Sequence, residues 1–147
     1  MQGKPWERKS LDFKVHSLID KVYKPLNLYI AWEKANKGSG GVDRVSIEDF
    51  DQNLHQNLDE IHRLLKEDRY TPKPARRVWI PKPTGDKRAL GIPAIRDRVV
   101  QQALLNRLQR IFDPLFCECS YGFRPGKSPH QAIEKVEGYL KIAVNGW

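Results

Sequence analysis

Apolar residues recur at helical spacing through the first half of the chain. Val15, Leu18, Ile19, Val22 and Tyr23 mark one face of a helix over 12–24, which Pro25 breaks. Asn27 is placed to cap a second helix over 28–37, with Ile30, Ala31, Trp32 and Ala35 available to a core. Ser46 opens a third helix over 46–66, and Asp49 three residues on suits a capping box. Its apolar stripe is Ile47, Phe50, Leu54, Ile61, Leu64 and Leu65. The opposite face carries Glu48, Asp49, Asp51, Asp59 and Glu60. Acids gathered near a helix start favour its dipole, so they read as solvated surface rather than as an acid–base pair. His55 and His62 of the same helix read as surface or core-edge residues.

The period then changes. Val78–Pro81 and Ala89–Pro93 form two short extended runs joined by the turn Pro83-Thr84-Gly85-Asp86. Pro81 and Pro83 cannot donate to a ladder, so the ribbon should be exposed and edge-like. A helix follows from Arg96 to about Phe112, with Val100, Leu104, Leu108 and Ile111 on its stripe. After a loop over 120–127, Ser128 caps a last helix with Pro129 at its first position and Gln131 closing a capping box. Ala132, Ile133, Val136, Tyr139 and Leu140 line that helix, and Gly138 weakens it late. The apolar tail Ile142-Ala143-Val144 suits a short third strand. The fold class is therefore α+β, mostly helical with one hairpin. The helices over 12–24, 28–37, 46–66 and 98–112 are expected to share an apolar centre.

Charge changes this picture. Residues 73–110 hold ten Lys or Arg against two acids, Asp86 and Asp97, a net of +8. The whole chain of 147 residues is also +8, so the rest balances at 16 of each sign. An excess confined to one segment is the footprint of a polyanion site. Arg76, Arg77, Lys82, Lys87 and Arg88 lie along the ribbon itself. Lysines that merely discourage edge pairing would not need so long a basic segment interrupted by tryptophan.

Other chemistries find little support. Cys117 and Cys119 are poorly placed to pair and have no zinc-site spacing, so free, partly buried thiols are expected. No apolar run approaches the roughly 18 residues of a membrane span. The first residues lack a hydrophobic signal segment, which makes the cytoplasm the expected compartment. Gly38-Ser39-Gly40-Gly41 lets a ligand approach the backbone, or serves as a flexible connector. It lacks the Gly-Lys-Ser/Thr ending of a nucleotide P-loop.

Three stretches in order carry a family resemblance: GSGGVD (38–43), RRVWIPKPTGDKRALGIPAIRDRVVQQAL (76–104) and FDPLFCECSYGFRPGKSPHQAI (112–133). The chain resembles the N-terminal part of group II intron-encoded reverse transcriptases, or intron maturases. That resemblance implies a helical extension over 1–37, a template-contact loop over 38–45, a fingers subdomain over 46–141 containing the hairpin 76–93, and the start of the palm at 142–147. It further implies that Lys82, Arg88 and Arg76 contact the phosphates of an incoming deoxynucleoside triphosphate. Gly40, Gly41, Arg77, Lys87, Phe123, Arg124 and Lys127 would then meet template RNA, with Phe123 stacking or simply packing. The implied partners are an intron RNA template, a DNA primer and the triphosphate, with no membrane.

The family's magnesium-holding aspartates are expected beyond Trp147, with no Tyr-x-Asp-Asp run here, so this chain alone is expected not to polymerise. An apolar face left on the last helix would favour self-association. A stand-alone intron-RNA binding module is the second reading. A generic basic DNA-binding domain is weaker, for want of a helix-turn-helix pattern.

Overall fold

The computed structural model describes residues 18–145, which divide into two compact units at residues 109 and 110. The first unit opens with a short helix α1 (Leu18–Val22) and a second, α2 (Pro25–Ala35). The expected start of the first helix, residues 12–17, lies outside the described residues. Pro25 begins α2 as well as ending α1, because its fixed φ and missing N–H suit a first turn. Asn27 therefore sits inside α2 rather than capping it. It is buried, and its Nδ2 donates to the carbonyls of Val22 (2.8 Å) and Ala103 (3.1 Å). This amide ties three helices together, satisfying carbonyls that burial would otherwise orphan.

The single helix expected over 46–66 is two: α3 (Ile47–Gln52) and α4 (Leu54–Lys66). Asn53 (φ −117°, ψ 30°) leaves helical geometry, and Asn57 Nδ2 bridges the break by donating to Phe50 O at 2.9 Å. The capping box forms as expected. Asp49 N donates to Ser46 Oγ, while Ser46 N and Oγ donate to the Asp49 carboxylate at 3.1 and 2.7 Å. These bonds hold Asp49 below the usual carboxylate range.

The core joins these helices to α5 (Ile95–Phe112) through Val22, Leu28, Ala31, Trp32, Phe50, Leu58, Ile61, Ile95, Val99, Val100 and Ala103. Leu104, Leu108 and Ile111, expected on the buried stripe of α5, are only half-buried, and Val99 and Ala103 take the centre. Ile30 of α2 is exposed, its place taken by Leu28. Trp32 stacks on Phe50 with centroids 4.9 Å apart and rings at 25°, pinning α3 to α2. The acidic face of α3 and α4 is exposed, as the pattern requires.

Between α4 and α5 stands the two-stranded ribbon, β1 (Arg76–Pro81) and β2 (Lys87–Ile92), paired antiparallel. Each strand begins two residues earlier than the pattern predicts. Gly85 takes φ +90° in the turn and donates to Lys82 O at 3.0 Å, while Lys82 N donates to Asp86 O at 2.6 Å.

The second unit contains a 3₁₀ turn (Asp113–Leu115), a loop and the helix α6 (Pro129–Asn145). Ser128 N donates to Gln131 Oε1, and Gln131 N to Ser128 Oγ, so the second capping box also forms. The backbone stays helical to Asn145, so the expected third strand is absent among the described residues. Gly138 does not end the helix. Ile133, Val136, Tyr139 and Leu140 are exposed.

Cys117 and Cys119 correct another expectation. A turn closed by Ser120 N donating to Cys117 O folds the chain back, bringing their Cα atoms to 5.2 Å. They are exposed and form a disulfide. No helix among the described residues is long and apolar enough to cross a membrane.

Candidate nucleic-acid interface

Strand pairing decides which cations can act together. Arg76 faces Ile92 across the ladder, Val78 faces Leu90, and Ile80 faces Arg88. Directly paired residues share a face, so Arg76 and Arg88 lie on one side with Val78, Ile80, Leu90 and Ile92. The other side carries Arg77, Trp79 and Pro81 against Gly91, Ala89 and Lys87. Val78, Ile80 and Ile92 are half-buried, whereas every residue of the second face is exposed. Trp79 remains 58% exposed between two cations. A ring flanked by positive charge is the arrangement that stacks a nucleobase while holding its phosphates.

Among the described residues, the side chains of Arg77, Lys82, Lys87 and Arg88 make no hydrogen bond or ion pair. They are free to meet an anion. Arg76 differs, because its Nη2 donates to Ser39 Oγ at 3.2 Å. Lys82 stands at the ribbon's tip, at the start of the turn.

The glycine loop is docked rather than loose. Arg98, on the first turn of α5, donates from Nη1 to the carbonyl of Lys37 and from Nη2 to that of Ser39 at 2.8 Å. Gly41 is buried, and a Cβ built there would lie 2.6 Å from Ala94 N. Only glycine allows that backbone approach. Gly40 is half-buried beside it. Asp43 closes the loop by accepting from Val45 N and pairing with Lys73 Nζ at 3.1 Å.

Asp97 anchors the linker that leads into the ribbon. It is 3% exposed and accepts from Tyr70 Oη and from Lys73 N at 3.0 Å. Burial, then the Asp97 hydrogen bond, pushes the Tyr70 hydroxyl far above the usual tyrosine range, so it stays a donor. Arg96 lies over the Tyr70 ring. Beside the loop, an open cleft of about 310 Å³ is lined by Asp43, Asp49 and Glu60 against Lys73 and Arg96, a mixture that does not favour an anion.

In the second unit, the loop over 120–127 turns on Phe123, whose φ is +56° and whose side chain is fully exposed. A bulky residue held in left-handed backbone requires support. Arg124 supplies it: Nε donates to Asp113 Oδ1 at 2.8 Å, Nη1 to the carbonyls of Cys117 and Ser120, and Nη2 to Asp113 O. Most of its donors are thus engaged within the loop. Lys127 Nζ sits over the Tyr121 ring, 5.1 Å from its centre.

The sequence-predicted residues therefore fall into two groups. Arg76, Arg77, Lys82, Lys87, Arg88, Gly40 and Gly41 belong to the first unit, and Phe123, Arg124 and Lys127 to the second. Sequence reasoning missed Arg98, Ser39 and Asp97. Asp97 carried a signal, being one of only two acids in the basic segment. Among the described residues no group of three or more His, Cys, Asp or Glu is arranged to hold a metal ion.

No family model matches the chain. It is 45% identical over 97 residues to Protein YkfC of Escherichia coli, covering 66% of this chain and 26% of that protein. It is 30% identical over 132 residues to the group II intron-encoded protein LtrA of Lactococcus lactis, covering 88% of this chain and 22% of that protein. Over 52 residues, 33% of this chain and 7% of the relative, it is 42% identical to nuclear intron maturase 1 of Arabidopsis thaliana mitochondria. The chain spans about a quarter of the length of the first two relatives.

Proposed function

The chain is homologous to group II intron-encoded proteins and intron maturases, and we propose that it is the part of an RNA-directed DNA polymerase that grips the incoming triphosphate and the RNA template. The division of the ribbon's cations between two faces carries this reading. Arg76 and Arg88 share one face and Lys82 stands at the tip, a set suited to a triphosphate. Arginine offers a forked, permanent charge and lysine a mobile point charge. A hairpin bearing all three can bring them onto the phosphates in one closing motion. Arg77, Lys87 and Trp79 share the opposite face, where a base can stack and its phosphates be neutralised. Phe123 offers a second stacking surface, with Arg124 holding its loop and Lys127 nearby. Carboxylates holding catalytic magnesium would come from other parts of the longer polymerase.

A stand-alone intron-RNA module draws on the same exposed face around Trp79. Triphosphate dependence separates the two. On the polymerase reading, Lys82→Ala and Arg88→Ala each weaken binding of a fluorescent deoxynucleoside triphosphate about three- to tenfold, an exposed charged hydrogen bond being discounted for solvent screening. RNA affinity then changes little. The RNA-module reading is favoured instead if triphosphate binding is untouched while RNA affinity and its salt dependence both fall.

A further inference from the structure

The glycine loop of residues 38–41 is bordered by an arginine that none of the nucleotide or template assignments uses. We infer that Arg98 is a positioning residue for RNA binding: its guanidinium fork clamps the loop's backbone against the base of the ribbon, and RNA binds along the clamped loop. This rests on the reading that Gly40 and Gly41 border the RNA.

Three observations carry the inference. Both terminal nitrogens of Arg98 donate to loop carbonyls, those of Lys37 and Ser39, so the side chain grips the backbone on either side of Gly38. Its Nε is buried without a partner, so only the second N–H of each terminal nitrogen is left for any other acceptor. Gly41 packs so closely on Ala94 that the loop has no room to shift toward α5. The same loop residue then serves a second arginine, because Ser39 Oγ accepts from Arg76 while its carbonyl accepts from Arg98. One serine thus joins the loop to the first cation of the ribbon. If the fork lets go, the loop loses its seat and Arg76 loses its anchor together.

A docked loop needs no rearrangement when RNA arrives. An undocked one binds with an affinity reduced by the fraction of molecules that remain docked. Lysine at position 98 keeps the positive charge but not the fork, and can reach one carbonyl at most. Alanine at position 41 pushes the loop away by an independent route, with every charge kept.

The test uses the full 147-residue chain and a short 5′-labelled single-stranded oligoribonucleotide of mixed sequence, titrated across a range of salt concentrations. Arg98→Lys and Gly41→Ala are each expected to weaken RNA binding about tenfold, as when roughly one molecule in ten keeps the loop docked. The salt slope stays at the wild-type value in both, because no phosphate contact is lost. Lys87→Ala is the contrast, lowering the slope by about 0.7 as a direct contact to a single strand should. Circular dichroism on each variant checks that it is folded at the temperature of the titration.

A salt slope lowered by about 0.7 in Arg98→Ala, which removes the charge that Arg98→Lys keeps, would make Arg98 a direct phosphate ligand and overturn the inference. Wild-type affinity in both variants, with Lys87→Ala still weakened, would overturn it while leaving the RNA-binding reading intact. Should the wild-type chain bind no RNA at all, that reading and this inference fall together.

Discussion

Trp32→Ala should remove about 3–5 kcal/mol of stability, the range for deleting a buried aromatic from a packed core. Trp32 is 3% exposed and lies flat against Phe50, itself buried on α3. The alanine variant loses the transfer free energy of the indole, the stacking contact and the packing around a void that rigid helices cannot close. A domain of this size has a net stability of only about 5–15 kcal/mol, so the variant should lose a large share of it and unfold at a much lower urea concentration. The check is urea unfolding followed by far-UV circular dichroism. A midpoint within error of wild type would show that the α2–α3 contact does not carry the core. Trp32→Phe should recover much of the loss, since an aromatic ring still faces Phe50. The consequence reaches the interface, because α2 runs directly into the residues gripped by Arg98.

On the proposed reading, Trp79→Ala should weaken binding of single-stranded RNA by about 1–3 kcal/mol, the range for losing one base–aromatic stack. The ring is exposed on the outer ribbon face between Arg77 and Lys87, so its removal leaves no core cavity. The unfolding midpoint should therefore stay close to wild type. The double variant Arg77→Ala/Lys87→Ala should act differently, flattening the salt slope by about 1.4 if both cations neutralise a phosphate of a single strand. Fluorescence anisotropy at several salt concentrations reads both. If Trp79→Ala altered the slope and the double variant did not, the roles would be reversed. If neither changed RNA affinity, the outer face would not be the RNA surface.

Much of the fold was legible because short-range physics dictates it. Ser46 with Asp49 and Ser128 with Gln131 form their capping boxes, since the groups that satisfy each helix's first N–H donors lie three residues apart in the chain. The ribbon was legible from two extended runs flanking a turn with Gly85. Helical periodicity located the core helices but not their buried edges. Leu104 and Val99 are both apolar on α5, and only the position of α2 and α4 puts Val99 at the centre. Asn27 could cap a helix or tie helices together, and Ala103, 76 residues away, decides for the second. The break at Asn53 and the Cys117–Cys119 bridge were misread for the same reason: each depends on a local turn that periodicity does not encode.

By itself, the sequence determined the helices, the hairpin, the basic segment of residues 73–110 and the kinship with intron-encoded proteins. Composition, spacing and local hydrogen-bond chemistry act within a few residues, and those can be read along a line. The tertiary structure alone decided that Arg76 and Arg88 share one face and Arg77 and Lys87 the other, because that depends on register across two strands. It alone seated the glycine loop, since Arg98 reaches carbonyls 61 and 59 residues away. An arginine's hydrogen-bond partners are set by where the fold carries its fork, and the residue type names only the donors it brings.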